Sequence, residues 1–357
     1  MQYRALGHSG TAASTIALGT MDFGSMTAEE DAHAILDAFV DAGGNLVDTS
    51  NVYNAGLVEE IIGRWFASRP DNVTGRVVLA TKGRFSPDTD VNAAGSSRRG
   101  LRRSLDGSLR RLGLDHVDLY QLHAWDPLTP PGETLAFLDG AVRSGKVNYI
   151  GLSNFTGWQL QLMLDTARTM GVQVPVTLQE QYSLLSREIE WEVVPAALHN
   201  NIGILPWSPL AGGFLSGKYQ RGVAPGGNTR AGSANKLYQW VSEEYASSDR
   251  NWQTIDTVSR VAREAGATPT QVALRWLIDQ PAIIAPIIGA RSVEQLKENL
   301  AAADLQLSDD ALQALTAVSA PVPGGYPYGA FGTGQRSRTL NGTPRQIPGS
   351  DAPTGRA

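Results

Sequence analysis

The chain has 357 residues, 42% of them hydrophobic, and a formal net charge of −5. That is ample length for a large core in one or two domains, and the mild acidity argues against nucleic acid as a general partner. The lack of cysteine excludes a disulfide framework, a redox thiol and a thiolate metal site.

The opening "MQYRALGHSG" has neither the basic nor the apolar region of a signal peptide, so a cytoplasmic location is expected. A hairpin candidate follows in "QYRALGHSGTAASTIALG", and from there strand and helix patterns alternate. Strand signals occur in chain order at "STIALG", "NLVDT", "RVVLATK", "VDLYQLH", "VNYIGLS", "VTLQEQ", "IGILPWS" and "IIAPIIG". Helical patterns lie between them, among them "AEEDAHAILDAFVDAGG", "LVEEIIGRWFASR", "GETLAFLDGAVRSG" and "TGWQLQLMLDTARTMG", several ending on glycine, the residue that favours a helix C-cap. The arginine-rich "RRGLRRSLDGSLRRLG" places Leu101, Leu105, Leu109 and Leu112 at helical spacing, so its leucines face a core and its arginines form a solvated face, not a nucleic-acid site. The last strand signal, within "AIIAPIIGA", is interrupted by Pro286 and is far too short to span a bilayer, so no membrane partner is expected.

Eight β–α units predict a (β/α)8 TIM barrel with an N-terminal β-hairpin, occupying residues 1–320. A doubly wound open sheet has the same periodicity. Two segments break the repeat. Residues 208–249, rich in glycine and serine, read as a functional excursion after the seventh strand, and residues 321–357 as an extended Gly/Pro-rich C-terminal tail.

In a parallel barrel the chemistry sits at the C-terminal strand ends. Read strand by strand, those ends carry Asp48 with Tyr53 just beyond, Lys82, His123, Ser153 with Asn154, Gln179, Trp207 and, after the eighth strand, Arg291. Asp, Tyr, Lys and His together are the parts of a proton-transfer site for carbonyl chemistry. Asp48 and Tyr53 are five positions apart, so they converge only if the polar "TSN" turns the chain between them. The histidines form no H-E-x-x-H, and His116 and His123 fall on opposite faces of one strand, so no metal is expected. "GLSNF" lacks the closing glycine of a serine-hydrolase elbow.

The ordered set "GTMDFG", "NLVDTSNVY", "LVEEIIG", "ATKG", "GSLRRLGLDHVDLYQLH", "GKVNYIGLSNF", "QEQYSLLSR", "WSPLAGGFLSGKY" and "IIGARSVEQLKENL" resembles the aldo-keto reductases. The resemblance implies the (β/α)8 barrel and matches Asp48, Tyr53, Lys82 and His123 to the family's catalytic tetrad. Chemically, Lys82 would lower the pKa of the Tyr53 phenol so that it can give a proton to a carbonyl oxygen. Asp48 would hold Lys82, and His123 would orient the carbonyl.

A hydride requires a cofactor, since no side chain supplies one. No G-x-G-x-x-G is present, which makes a Rossmann domain an unlikely host. "GGFLSGKY" matches the first part of a P-loop through Gly212, Gly217 and Lys218, but Tyr219 stands where magnesium needs Ser or Thr, so ATP hydrolysis is rejected. The resemblance assigns Ser153, Asn154 and Gln179 to a nicotinamide carboxamide, Trp207 to ring stacking, and Ser208, Leu210, Gly212 and Lys218 to the pyrophosphate. It assigns Gly289, Arg291, Ser292, Gln295, Glu298 and Asn299 to the adenosine end, and brings Gly19, Thr20, Met21 and Asp48 to the same cofactor. A guanidinium suits a 2′-phosphate, so Arg291 points to NADPH (NADP) over NADH.

Phe23, Tyr53, His123 and Trp125, with Trp207, are the expected walls of a substrate pocket for a small-molecule aldehyde or ketone, although core packing explains Phe23 equally well. The expected reaction is NADPH-dependent carbonyl reduction with Tyr53 as proton donor. An alcohol or sugar dehydrogenase working in the oxidative direction, or a cofactor-binding redox-sensing subunit, uses the same residues.

Overall fold

The structure is a computed structural model and describes residues 1–223, 226, 229, 231–232, 236–337, 339–340 and 343–344. The remainder of the glycine-rich excursion and of the C-terminal tail lies outside the described residues.

All eight expected barrel strands form. After the hairpin strands β1 (Tyr3–Ala5) and β2 (Ala12–Ser14) come β3 (Ala17–Gly19), β4 (Leu46–Asp48), β5 (Val78–Gly83), β6 (Val117–Leu122), β7 (Val147–Ser153), β8 (Thr177–Gln181), β9 (Gly203–Trp207) and β10 (Ile287–Ile288). The last eight make one parallel sheet in the order β10-β3-β4-β5-β6-β7-β8-β9. The ring closes between β9 and the segment just before β10, where Ile204 N–H donates to Ala282 O (2.8 Å) and accepts through its carbonyl from Ile284 N–H (2.9 Å). Only Ile287–Ile288 of "IIAPIIG" count as strand, because Pro286 has no N–H to give a neighbour, though its carbonyl still accepts from Ala17 N–H. This is the (β/α)8 barrel, not the open sheet.

Period-two alternation decides which residues face the interior. Leu46, Val78, Ala80, Leu119 and Leu205 belong to the inner apolar cluster, whereas Val47, Leu79, Tyr120 and Ile204 pack outward against the helices. Leu6 of the hairpin connection and Ala13 belong to that inner cluster, so the hairpin plugs the N-terminal end of the barrel. Continuing the inward series one step beyond the apolar layer gives Asp48 after Leu46, Lys82 after Ala80 and Gln121 after Leu119. All three are buried.

The arginine-rich segment is the helix Arg98–Leu112, N-capped by Ser97, with Leu101, Leu105, Leu109 and Leu112 buried and Arg99, Arg102 and Arg110 exposed. The excursion after β9 contains a 3-10 turn, Ala211–Ser216, and a helix, Lys236–Ala246. Beyond Pro321 the described chain holds a short helix, Ala330–Arg336, and a two-residue-per-strand hairpin, Thr339–Leu340 with Thr343–Pro344.

Candidate active site

The Lys82 side chain is fully buried at the C-terminal end of the barrel core. An ammonium has three N–H donors, and each is spent: on Asp48 Oδ2 (2.5 Å), on the carbonyl of Thr49 (2.9 Å) and on the Tyr53 hydroxyl oxygen (3.1 Å). Burial acts to lower the Lys82 pKa, but the Asp48 carboxylate and Tyr53 outweigh it and leave the pKa above the ordinary lysine value. The side chain is held as an ammonium.

Asp48 is fixed by three other strands. Oδ2 takes the bond from Lys82 on β5, while Oδ1 accepts from Gln121 Nε2 on β6 (3.1 Å) and Gln179 Nε2 on β8 (2.9 Å). Space for this layer depends on β7, where Gly151 pairs with Gln121. A Cβ at that position would lie 2.7 Å from Gln121 Cγ and 2.5 Å from Thr177 Oγ1, closer than atoms can approach. Gln121 is a site residue that the strand-end reading missed, and its signal was present: it lies two before His123 in "YQLH", on the same face.

Tyr53 opens a short turn immediately after the strand exit, in which Asn54 (φ 45°), Ala55 (φ 54°) and Gly56 (φ 98°) are all left-handed. The turn that brings the phenol back over Lys82 precedes that run: Asn51 N–H donates to Lys82 O (3.3 Å) and Tyr53 N–H to Ser50 O (3.2 Å). The expected convergence of Asp48 and Tyr53 through Lys82 is therefore present. Burial is the largest influence on Tyr53 and raises its pKa above the ordinary 10; Lys82 opposes the rise and Asp48 adds to it. The expectation that Lys82 brings the phenol below its ordinary value is corrected here, because desolvation exceeds the pull of the ammonium. Since Lys82 donates to the phenol oxygen, the hydroxyl hydrogen is left to point elsewhere.

His123 follows β6 and meets Tyr53 edge-on, with ring centroids 6.0 Å apart. Burial, then the charges of Lys82 and Arg84, lower its pKa to about 3, so the imidazole is neutral. Its Nδ1 lies 3.1 Å from Ser50 Oγ, a hydroxyl that was read only as part of a polar exit. The proton on a neutral imidazole occupies one nitrogen, and the Ser50 hydroxyl can either donate to Nδ1 or accept from it. Phe85 also stands edge-on to the His123 ring, with centroids 5.0 Å apart, and the Arg84 guanidinium sits 4.3 Å over the Phe85 ring. Neither was legible as a site residue, since "TKGRFS" lies past the strand.

Along the next strands, Asn154 (φ 56°) donates from Nδ2 to the His123 carbonyl (2.8 Å) and to Ser153 Oγ (3.0 Å), and accepts from Trp207 Nε1 (3.1 Å). Trp207 is thereby pinned at the rim. The backbone of residues 208–217 is left-handed at Ser208, Ala211, Gly212, Gly213 and Gly217, and tight turns close it on itself, Ala211 N–H donating to Ser208 O (2.9 Å) and Gly213 N–H to Leu210 O (2.8 Å). Lys218 folds back so closely that a Cβ on Gly213 would sit 2.5 Å from its Nζ. Such a positively charged, glycine-lined loop fits a pyrophosphate, and the flat indole beside it fits a pyridine ring.

Around the end of β10, Gly289 O accepts from Asn299 Nδ2 (3.3 Å), Ser292 caps the helix Val293–Leu300 by accepting from Gln295 N–H, and Gln295 Oε1 returns to Arg291 N–H (2.8 Å). The Arg291 guanidinium is half-exposed and lies 3.7 Å from Asp22. Glu298 is exposed one turn along the same helix, and Met21 is exposed near Asp22. Thr20 is buried and its hydroxyl donates to Asp48 O (2.9 Å), while Gly19 pairs with Asp48 in the sheet, so these two support the tetrad from below. Leu210 is partly buried against the core.

Of the expected substrate walls, Trp125 stands edge-on to Phe155 (5.5 Å) and to the exposed Trp158 (5.6 Å), which was not foreseen. Phe23 is 1% exposed and belongs to the outer core, so it is corrected from a pocket wall to a packing residue. No group of three or more potential metal ligands occurs among the described residues. No helix of the described residues is long and apolar enough to cross a membrane.

The model of the Aldo/keto reductase family matches residues 15–320. Oxidoreductase YrpG of Bacillus subtilis (strain 168) is 41% identical over 343 residues, covering 93% of this chain and 99% of its own. Versiconal hemiacetal acetate reductase of Aspergillus parasiticus is 30% identical over 88% of this chain and 96% of its own, and aryl-alcohol dehydrogenase [NADP(+)] of Phanerodontia chrysosporium 30% over 89% and 81%.

Proposed function

The chain belongs to the aldo/keto reductase family, nicotinamide-dependent oxidoreductases acting on small molecules, and from that premise we propose that it reduces an aldehyde or ketone to the alcohol with NADPH, Tyr53 giving the proton. The observation that carries this reading is the buried Asp48–Lys82–Tyr53 chain with His123 facing the phenol.

In this reading Trp207, Ser153, Asn154 and Gln179 hold the nicotinamide end, the left-handed loop from Ser208 to Gly217 with Lys218 holds the pyrophosphate, and Arg291 takes the 2′-phosphate. A reduced nicotinamide bound there would supply the hydride for the carbonyl carbon. His123, neutral, donates a hydrogen bond to the carbonyl oxygen and aligns it between imidazole and phenol. Tyr53 keeps its proton at neutral pH, as its raised pKa requires, and releases it only when negative charge builds on that oxygen. The alkoxide oxygen that forms as hydride reaches the carbon is far more basic than a phenolate, so the proton transfer is downhill even from a raised phenol. Lys82 stays protonated and stabilises the phenolate left behind. Asp48 keeps Lys82 in place, with Gln121 and Gln179 holding Asp48.

The same groups serve oxidation with Tyr53 as the base, and the relative from Phanerodontia chrysosporium carries the name of an alcohol dehydrogenase. A panel of aldehydes and ketones with NADPH, and of alcohols with NADP, followed at the absorbance of the reduced nicotinamide, tests the proposal. Carbonyl-dependent loss of NADPH is expected; a protein that binds NADPH but turns over nothing in either direction is a sensor instead.

A further inference from the structure

We propose that Arg84 makes this site selective for carbonyl substrates that carry an anionic group, a carboxylate or phosphate, a short distance from the reacting carbon. The inference rests on the reductase reading and adds to it the substrate class.

Arg84 follows Gly83 at the end of β5, two residues beyond Lys82, with φ 123°, a conformation that side-chain-bearing residues rarely adopt. Its guanidinium lies face-on over Phe85 at 4.3 Å, and Phe85 in turn stands 5.0 Å from His123, so the charge is no further from the imidazole than those two steps together. One edge donates from Nη2 to the Trp125 carbonyl (3.2 Å), which ties the group to the segment that carries the Trp125 half of the Trp125–Trp158 aromatic pair. Nε is buried and has no partner among the described residues.

What the cation lacks is a carboxylate in direct contact. No carboxylate of the described residues stands at ion-pair distance from it. Asp126 is the acidic group whose ionisation it favours, but Asp126 spends its oxygens on Ser96 N–H (2.7 Å), Leu128 N–H (3.0 Å) and the Thr129 hydroxyl (2.7 Å). A guanidinium half-withdrawn from water without a carboxylate is a costly arrangement. Fork-shaped donors lined up beside an aromatic wall suit a bidentate anion, which would supply the missing charge on binding. The other aromatic groups at the mouth, Phe85, Trp125 and Trp158, would contact the carbon chain between the anion and the carbonyl.

Two matched pairs test this with NADPH: succinic semialdehyde against butanal, and 4-carboxybenzaldehyde against benzaldehyde. The anionic member is expected to have a kcat/KM about 10-fold or more above its neutral partner. Arg84→Gln should raise KM for the anions by roughly 10- to 100-fold, falling far more heavily on them than on the neutral aldehydes, and Arg84→Lys should recover part of the loss. Equal preference within each pair, or equal loss of both members in Arg84→Gln, overturns the proposal while leaving the reductase reading intact. If no carbonyl is reduced, the reductase reading fails. Calorimetric titration of benzoate against benzamide into the NADP-loaded protein then decides for Arg84: binding of benzoate alone, lost in Arg84→Gln, supports it, and indifference to charge or to the substitution overturns it.

Discussion

Lys82 donates to the phenol oxygen of Tyr53 across 3.1 Å from a position that no solvent reaches, with Asp48 at 2.5 Å on its other side. A buried ammonium with all three donors satisfied is stable; one half of a buried pair is not. Lys82→Met should therefore cost about 3–5 kcal/mol of stability by stranding Asp48, in addition to abolishing turnover. Adding Asp48→Asn should recover part of the stability and none of the activity. Chemical denaturation of the single and double variants measures both, and a single variant as stable as the wild type would deny the pairing.

The Ser50 hydroxyl, 3.1 Å from His123 Nδ1, leads to a second prediction. If Ser50 donates to Nδ1, Nε2 carries the proton and can donate to a carbonyl. Ser50→Ala removes that preference and should lower kcat/KM by about 5- to 10-fold, the worth of one hydrogen bond, while the NADPH dissociation constant stays near wild type. Because His123 titrates at about 3, neither protein should show an imidazole limb in its pH–rate profile between pH 5 and 8. A limb near 6.5 in the wild type would place His123 in a wetter setting.

Glu180 offers a pH-dependent signature of the fold. Its carboxylate accepts from Phe155 N–H (2.7 Å), yet burial prevails and holds its pKa at about 8, against an ordinary 4.5. Below pH 4.5 both folded and unfolded chains keep the proton. Between 4.5 and 8 only the unfolded chain releases it, so this group makes stability fall as pH rises, by at most about 1.4 kcal/mol per pH unit. Glu180→Gln should remove that slope. Melting temperatures of the two proteins compared at pH 5 and pH 8 should diverge in favour of the variant at the higher pH; parallel behaviour would mean a carboxyl in contact with water.

Arg291 should discriminate between the two nicotinamide dinucleotides. Its guanidinium is within 3.7 Å of Asp22, so a 2′-phosphate would have to compete with that carboxylate. Arg291→Ala should weaken NADPH binding by roughly 10-fold and NADH binding much less. Fluorescence titration with each nucleotide checks it, and equal losses would remove Arg291 as the selective contact.

The barrel was legible because its strands are short apolar runs with a polar residue at each exit, and the tetrad because its members stand at those exits. What alternation and strand ends could show, they did: Asp48, Lys82 and His123 fall where the period places them. Gln121 was equally readable by the same period but looked like one more strand residue. Arg84 and Phe85 were hidden for a physical reason, since they sit on a connection whose course depends on left-handed backbone at Arg84, and Trp158 because it lies in the first turn of the helix Gly157–Met170 and meets Trp125 only through packing between distant segments. The tyrosine pKa was misjudged because a sequence names the charges near a group and is silent on how much water has been removed from around it.

The proton-donor role of Tyr53 is tested most directly by Tyr53→Phe, which deletes one oxygen and keeps the ring. NADPH affinity, measured by fluorescence titration, should be near wild type, and single-turnover carbonyl reduction should slow by about 10²- to 10⁴-fold. Undiminished reduction in a variant that still binds NADPH would contradict the account.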